Sequence, residues 1–530
     1  MTAPVTTPAR PRAREEHGRF ADLVRAEWTK FRTVRGWVIG MLVAALVIVA
    51  FVLLVRDSCS NNGSACPAPP TGPGGEAVTD TFYLVHQPLD GNGSVTVRIT
   101  SMTGLLPTPS SSGRVRAGQS PGAGMHPGLE PWSKAGIIIK ASTHPGSAYA
   151  AMMVTASHGV RMQDNYTGDT AGMPGAVSAA SPRWLRLTRS GDTLTGYDSP
   201  DGTHWTRVGK VTLAGLPPTV QAGMFAASPL YTHVTSQSLG GSTGTGGPTL
   251  ATGIFDHVSL LGASSGAAWS GDQVGSTVGL YPTAPGGFHQ AGAAFTVRGS
   301  GDIAPDVSGG GGGGGVSVSQ TLVGTFAGLI VVVVVATMFI TAEYRRGMIR
   351  TTLTASPRRA RVLAAKAAVI GGATFVAGLA AAAVAVPVGE RMIRSGGTFI
   401  DPVTPLTEAR IIAGTAALLA VAAVLAVSLG AILRRSAVAV TAVIAVIVLP
   451  YMLAGIPGIL PSGASQWLLR LTPAAAFAIQ QPYPAYPQVT ASYSPPDYFP
   501  LAPWAGFAVL CAWATLAAMV AVVLLRRRDA

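Results

Sequence analysis

Six runs of about twenty apolar residues, at 37–55, 321–342, 362–388, 411–433, 437–459 and 504–525, constrain this chain more than any other feature. Each is long enough to cross a hydrocarbon core of about 30 Å as a helix, the one open-chain form that satisfies its own backbone there. The composition agrees, with 48% hydrophobic and 12% charged residues. The first run starts late, is long, and lacks a clear small-residue cleavage site, so it is expected to stay as an anchor rather than leave as a leader. The third begins beside Lys366, whose stem allows the ammonium to snorkel toward the headgroups.

A net charge of +13 raises the question of nucleic acid, and the distribution answers it. Residues 57–316 carry 12 basic and 14 acidic side chains, net −2, so the remaining +15 sits in or beside the apolar runs. Residues 1–36 hold eight basic side chains, 343–366 seven, the Arg434-Arg435 turn two and 526–528 three. These are alternate loops, and the positive-inside rule puts them all in the cytoplasm. The other short loops hold only Arg391, Arg394 and Arg410, and Arg470. The expected topology is a multi-pass plasma-membrane protein with both termini cytoplasmic and a 260-residue insert outside. The partner implied by the charge is the lipid bilayer, not nucleic acid.

Residues 1–18, rich in Pro, Thr and Arg, read as a disordered cytoplasmic tail. In 19–36, Phe20, Leu23, Val24, Trp28 and Phe31 recur at helical spacing with Arg25, Lys30, Arg32 and Arg35 between them, which predicts an amphipathic helix in the interface. Residues 56–76 form a linker. Cys59 and Cys66 flank SNNGSA there, and a disulfide closing that loop is expected outside the cell, with two unpaired thiols the alternative.

The pattern then changes. SVTVRI, AGIIIKA, YAAMMVTA, WLRLTRSG, TLTGYDS, WTRVGKVTL, QAGMFAAS and FDHVSLLG are strand candidates separated by turn residues, which predicts an antiparallel β-sandwich over 77–262. In SPDGTHW, Asp201 and Gly202 are expected at positive φ, with Trp205 entering the core. Residues 263–316 read as an irregular appendage ending in a seven-glycine tether. The Pro- and Tyr-rich loop 460–503 is expected to be extended, residues 389–410 a small outer loop, and 526–530 a cytoplasmic tail. The fold class is therefore an α-helical membrane protein of six transmembrane helices with an inserted all-β extracytoplasmic sandwich.

Catalytic chemistry is missing. No phosphate loop, HExxH, CxxC or GxSxG occurs, and the His residues are scattered singly, so neither catalytic residues nor metal ligands are expected. The remaining concentration of unusual residues is EYRRGMIRTTLTASPRRARVLAAK at 343–366, where a short helix could run along the membrane surface until Pro357 interrupts it.

This stretch, the AEWTKFRTVRGW segment before the first run, and the count of six runs closely resemble type-2 (ABC-2-like) ABC transporter permeases of actinobacteria. The resemblance covers about 270 residues. It implies that Phe20, Leu23, Trp28, Lys30 and Phe31 belong to an interfacial elbow. It also implies that 343–361 is the coupling segment meeting an ABC ATP-binding subunit, through Glu343, Tyr344, Arg345, Gly347, Ile349, Arg350, Thr351, Thr352, Leu353, Ser356, Pro357 and Arg359. ATP and Mg would be bound by that partner and no cofactor by this chain, which would act as a dimer of permeases, as an exporter. The large insert departs from the family, whose first outer loop is usually short. Its WSKAGIIIK and PRWLRLTRSGDTLTGYDSPDGTHWTRVG are similar to concanavalin A-like (laminin-G-type) jelly rolls, many of which bind glycans, so cell-wall glycan is the implied ligand. The rival expectation is a membrane-anchored surface sensor or glycan-binding protein using the sandwich, for which six apolar runs are more than an anchor needs.

Overall fold

The computed structural model describes residues 20–53, 68–108, 125–236, 242–263, 268–275, 277–278, 281–282, 284–307, 316–347, 359–455, 459–484, 486–489 and 499–527. The apolar runs fold as helices Arg35–Val52, Thr325–Arg345, Arg359–Ser395, Pro405–Leu433, Ser436–Gly455 and Pro503–Arg527, here the first to sixth spans. All six are long and apolar enough to cross a membrane. The fourth opens where Thr404 Oγ1 accepts the Thr407 N–H and Pro405 occupies a position that needs no donor.

Small side chains let the spans approach closely. A Cβ on Gly40 of the first span would lie 2.5 Å from Val335 of the second, and one on Gly506 of the sixth 2.2 Å from the Ala475 carbonyl oxygen. Without a water-driven hydrophobic force inside a bilayer, such backbone contact is what holds helices together. The second and fourth spans are the most enclosed.

Two loop expectations need correction. Residues 389–410 are largely absorbed by the third span, which runs to Ser395, and the fourth, which begins at Pro405. Residues 460–503 contain a helix, Ser462–Leu471, and a fully buried 3-10 turn, Pro473–Gln480. Pro461 and Pro473 stand at the starts of these two elements, where proline is tolerated, so their presence did not exclude helix.

The insert is an antiparallel sheet folded over itself. Its organising element is the 26-residue strand Phe82–Pro107. The first part pairs with Thr219–Ala227 and Ser270–Val274; the second pairs with Arg183–Ser190 and Leu250–Ala263. Between the halves, residues 90–92 are exposed and Gly91 takes φ +66°, the bend that carries one strand through both layers. Val95, Val97, Leu185 and Leu187 of one layer meet Ile137, Ile139, Met152 and Met224 of the other in a shared core. Lys134–Lys140 and Tyr149–Thr155 are buried on both faces, because Ile138, Ala151 and Met153 face a second core with Phe82, Phe225 and Tyr166. Their uninterrupted apolar runs follow from that double burial.

The stretch expected to be an irregular appendage is largely β-structure, part of it in this sheet and part in a small separate one. Ser270–Val274 pairs with the long strand, Ala294–Gly299 with Leu250–Ala263, and Ile303–Pro305 with Val78–Asp80. The glycines around these short strands obscure an alternation that Phe295 and Val297, both buried, do carry. Gln488 Nε2, in the segment between the fifth and sixth spans, donates to the Tyr166 carbonyl at 2.8 Å and so touches the sheet.

Candidate functional site

Helix Phe20–Thr33 precedes the first span and breaks from it at Val34. Its inner face carries Val24, Glu27 and Phe31 against the bundle, with Phe31 edge-on to Phe339 at 6.2 Å, while Phe20 and Trp28 remain exposed. Leu23 is half-buried. An acid on the apolar face of such a helix requires a partner, since a lone buried carboxylate costs several kcal/mol.

The partners come from three elements. Lys366, in the third span, donates to Glu27 Oε2 at 2.8 Å and to Glu343 Oε1, near the end of the second span, at 2.6 Å. Lys30 reaches Glu343 Oε1 at 2.5 Å and Glu27 Oε1 at 3.3 Å. Two carboxylates and two ammoniums thus close into a neutral four-charge knot. Lys366 is fully buried, Glu343 and Glu27 nearly so, and Lys30 half-exposed at the rim. The Phe339 ring lies 5.2 Å from the Lys366 ammonium and adds a cation–π contact. Burial works against the charge on Lys30, but its hydrogen bond to Glu343 and the charges of both carboxylates outweigh this and hold its pKa above the ordinary lysine value. Glu343 Oε2 has no hydrogen-bond partner among the described residues.

The knot corrects one expectation. Lys366 does not snorkel outward; it points into the bundle because two carboxylates await it there. Of the implied coupling residues, Glu343 is in the knot, Tyr344 lies under the Arg434 guanidinium at 5.3 Å, and Arg345 is exposed. Arg359 begins the third span and donates to the Leu525 carbonyl of the sixth. Gly347 closes the second span at φ +69°, its N–H bonded to the Tyr344 carbonyl, a left-handed helix terminator. Ile349, Arg350, Thr351, Thr352, Leu353, Ser356 and Pro357 lie outside the described residues, as do Cys59 and Cys66. Glu27 is the residue the sequence reasoning missed. Its position three residues before Lys30 and four before Phe31, on the inner face, was the available sign.

In the sheet, Asp201 Oδ1 accepts the Thr203 and His204 N–H groups of the SPDGTH turn, and Gly202 alone takes positive φ. Trp205 does not enter the core; it lies half-exposed beneath the Arg186 guanidinium at 3.9 Å. No group of three or more His, Cys, Asp or Glu able to hold a metal occurs among the described residues.

Comparison with known proteins bears on the whole chain. No curated protein matches it. Among solved structures, the GH43 protein BlXynB of Bacillus licheniformis aligns over 26% of this chain and 24% of its own, at 17% identity and TM-score 0.16. The chain thus spans about a quarter of that protein. A functionally unknown protein from Saccharomyces cerevisiae aligns over 38% and 86%, at 14% identity and TM-score 0.22. Scytalido-glutamic peptidase aligns over 41% and 98%, at 7% identity and TM-score 0.24. At such scores these likenesses support no inference about fold or activity. The family comparison is of a different order. The model for ABC-2 family transporter proteins matches residues 150–530, from within the sheet through the last five spans. That match covers more than half of the chain, which therefore belongs to the ABC-2 transporter family.

Proposed function

We propose that the chain is the permease subunit of an ATP-driven exporter, paired with a second permease and with separate ATP-binding subunits. In this reading the charged end of the bundle is cytoplasmic, and 343–361 is the coupling segment. The sheet is a jelly roll on the outer side. The observation that carries the proposal is the four-charge knot. It ties the elbow, through Glu27 and Lys30, to the two helix ends that bracket the coupling segment, through Glu343 and Lys366. A push on that segment would then be felt by the elbow and by the second and third spans together. The groove of about 630 Å³ between elbow, first and third spans is lined almost entirely by apolar side chains, which favours an amphiphilic cargo over a small ion.

The test is co-purification in mild detergent followed by reconstitution. The parent is expected to carry an ABC ATP-binding subunit and to stimulate its hydrolysis. Glu343→Gln keeps the side-chain shape but removes the charge both lysines share, so association should persist while stimulation falls. A chain that purifies alone, or a Glu343→Gln complex that hydrolyses like the parent, would remove this reading. Orientation is tested by single cysteines, expected to label from outside at Gly63 and Gly240 but at Ser356 only after permeabilisation.

A further inference from the structure

A second buried lysine–carboxylate cluster lies in the sheet, and it differs from an ordinary ion pair. Asp80, on the short strand by which the chain enters the domain, and Lys140, at the end of a central strand, are both fully buried. Lys140 Nζ stands 2.7 Å from Asp80 Oδ2. The Tyr166 hydroxyl touches both groups, accepting from Lys140 Nζ at 3.0 Å and donating to Asp80 Oδ2 at 2.7 Å. Asp80 Oδ2 also accepts the Gly146 N–H at 2.8 Å, whereas Oδ1 has no hydrogen-bond partner among the described residues. The Tyr149 and Tyr166 rings flank the ammonium, each at 5.5 Å.

We propose that Lys140 and Asp80 condense spontaneously into an intramolecular amide, with Tyr166 carrying the proton. The ammonium passes one proton through the Tyr166 hydroxyl to Asp80 Oδ2. The neutral amine then attacks Asp80 Cγ, forming the N–C bond. The second proton leaves nitrogen for Oδ2, the C–Oδ2 bond breaks and water departs. Oδ1 remains as the carbonyl oxygen of the amide. One ammonium and one carboxylate give one amide and one water, with no oxidant, reductant or co-reactant.

Three features support this chemistry. The oxygen that must leave holds all the donors, and the oxygen that must stay holds none. Burial pushes the Lys140 ammonium below the ordinary lysine value, which eases loss of its proton, and keeps the Tyr166 hydroxyl protonated far above the tyrosine range, so it can relay that proton. Fixing the reactants in contact in a dry core supplies an effective concentration far above any in solution. Tyr166 is moreover held at φ +65°, unfavourable for a bulky side chain, and such strain persists only where the surroundings impose it. Condensation also removes two charges from a core where the pair is costly.

The neighbouring pair is a built-in contrast. Lys134 Nζ is 2.6 Å from Asp302 Oδ1, and each lysine also donates to a backbone carbonyl, Ile303 here and Ser147 for Lys140, but Asp302 is partly exposed. No hydroxyl bridges the two among the described residues, so they are expected to remain an ion pair.

The test is mass spectrometry of the full chain, purified and denatured. The expected result is a chain lighter by one water, with the Asp80 and Lys140 peptides joined after proteolysis. Asp80→Asn should lose one ammonia instead, and Tyr166→Phe, followed from synthesis, should accumulate the link roughly 100-fold more slowly. The parent measurement decides alone if a variant fails to fold. A parent of full mass with separate peptides overturns the proposal, as does a link at Lys134–Asp302 instead, or one formed at the parent rate in Tyr166→Phe.

Discussion

The molecule buries lysine against carboxylate in two places, and the surroundings differ more than the chemistry. In the β domain, Lys140 ends a strand paired on both sides, with Thr219–Ala227 and Tyr149–Thr155, and Asp80 sits on a short strand paired with Ile303–Pro305. In the bundle, Glu27 and Lys30, Glu343, and Lys366 come from three separate helices. A pair inside a rigid sheet can only stiffen it. A knot across three helices has no backbone ladder joining its parts, so only side chains hold them together. Buried lysine–carboxylate contacts therefore sit among paired strands in one region and join separate helices in the other, which the proposed coupling would use as a joint.

The largest expected effect comes from breaking the joint at its centre. Lys366→Met leaves Glu27 and Glu343 with only Lys30, half-exposed at the rim, to balance them, and removing one member of a buried ion pair costs about 3–5 kcal/mol. Thermal unfolding in detergent should fall accordingly. Adding Glu343→Gln to Lys366→Met should recover part of the loss, since Lys30 and Glu27 then balance. If Lys366→Met melts like the parent, or the second change deepens the loss, the carboxylates are not held together as described.

The two regions also differ in how legible they are. The six spans stand out because twenty apolar residues have few other uses, and their packing glycines are visible in the same runs. Three members of the knot attract attention in the sequence for separate reasons, but nothing in one dimension joins Lys366 to carboxylates 23 and 339 residues away. Glu27 was legible only as an acid on an apolar helical face. In the sheet, alternation identifies strands and faces, as along WLRLTRSG, but a period of two does not say which strand lies beside which. The fold-over of Phe82–Pro107 was hidden for that reason, as was the return of Ser270–Val274 to pair with it.

A smaller effect sharpens the joint. Gly347 has open space around it, with no atom of the described chain within 4 Å of where a Cβ would stand, so the requirement visible here is its φ of +69°. Gly347→Ala should cost about 1 kcal/mol or slightly more, the left-handed penalty of a side chain. Asparagine tolerates that region better, so Gly347→Asn should melt above Gly347→Ala. If a partner instead packs against this glycine, the larger Asn will impair ATPase stimulation more than Ala while melting higher. The two rankings separate a helix terminator from a contact surface.

The smallest effect supplies the exposed counterpart to both buried clusters. His204 Nδ1 lies 2.6 Å from Asp201 Oδ2 on the surface of the sheet, with the His204 side chain almost wholly in solvent. The hydrogen bond and charge of Asp201 raise the His204 pKa above its ordinary value, and the His204 N–H and side chain hold the Asp201 carboxyl well below the usual range. Because the folded His204 pKa is raised, any stabilisation is fully present below the unfolded value of about 6.5 and is lost as pH rises through the folded pKa. Asp201→Asn should bring the imidazole titration, followed by NMR, back toward the ordinary value, and salt should do so partially in the parent. The melting temperature should hardly respond to either. A salt-insensitive titration, or a large loss of stability in Asp201→Asn, would show that this pair shares the buried character of the other two and that solvent exposure is not what divides them.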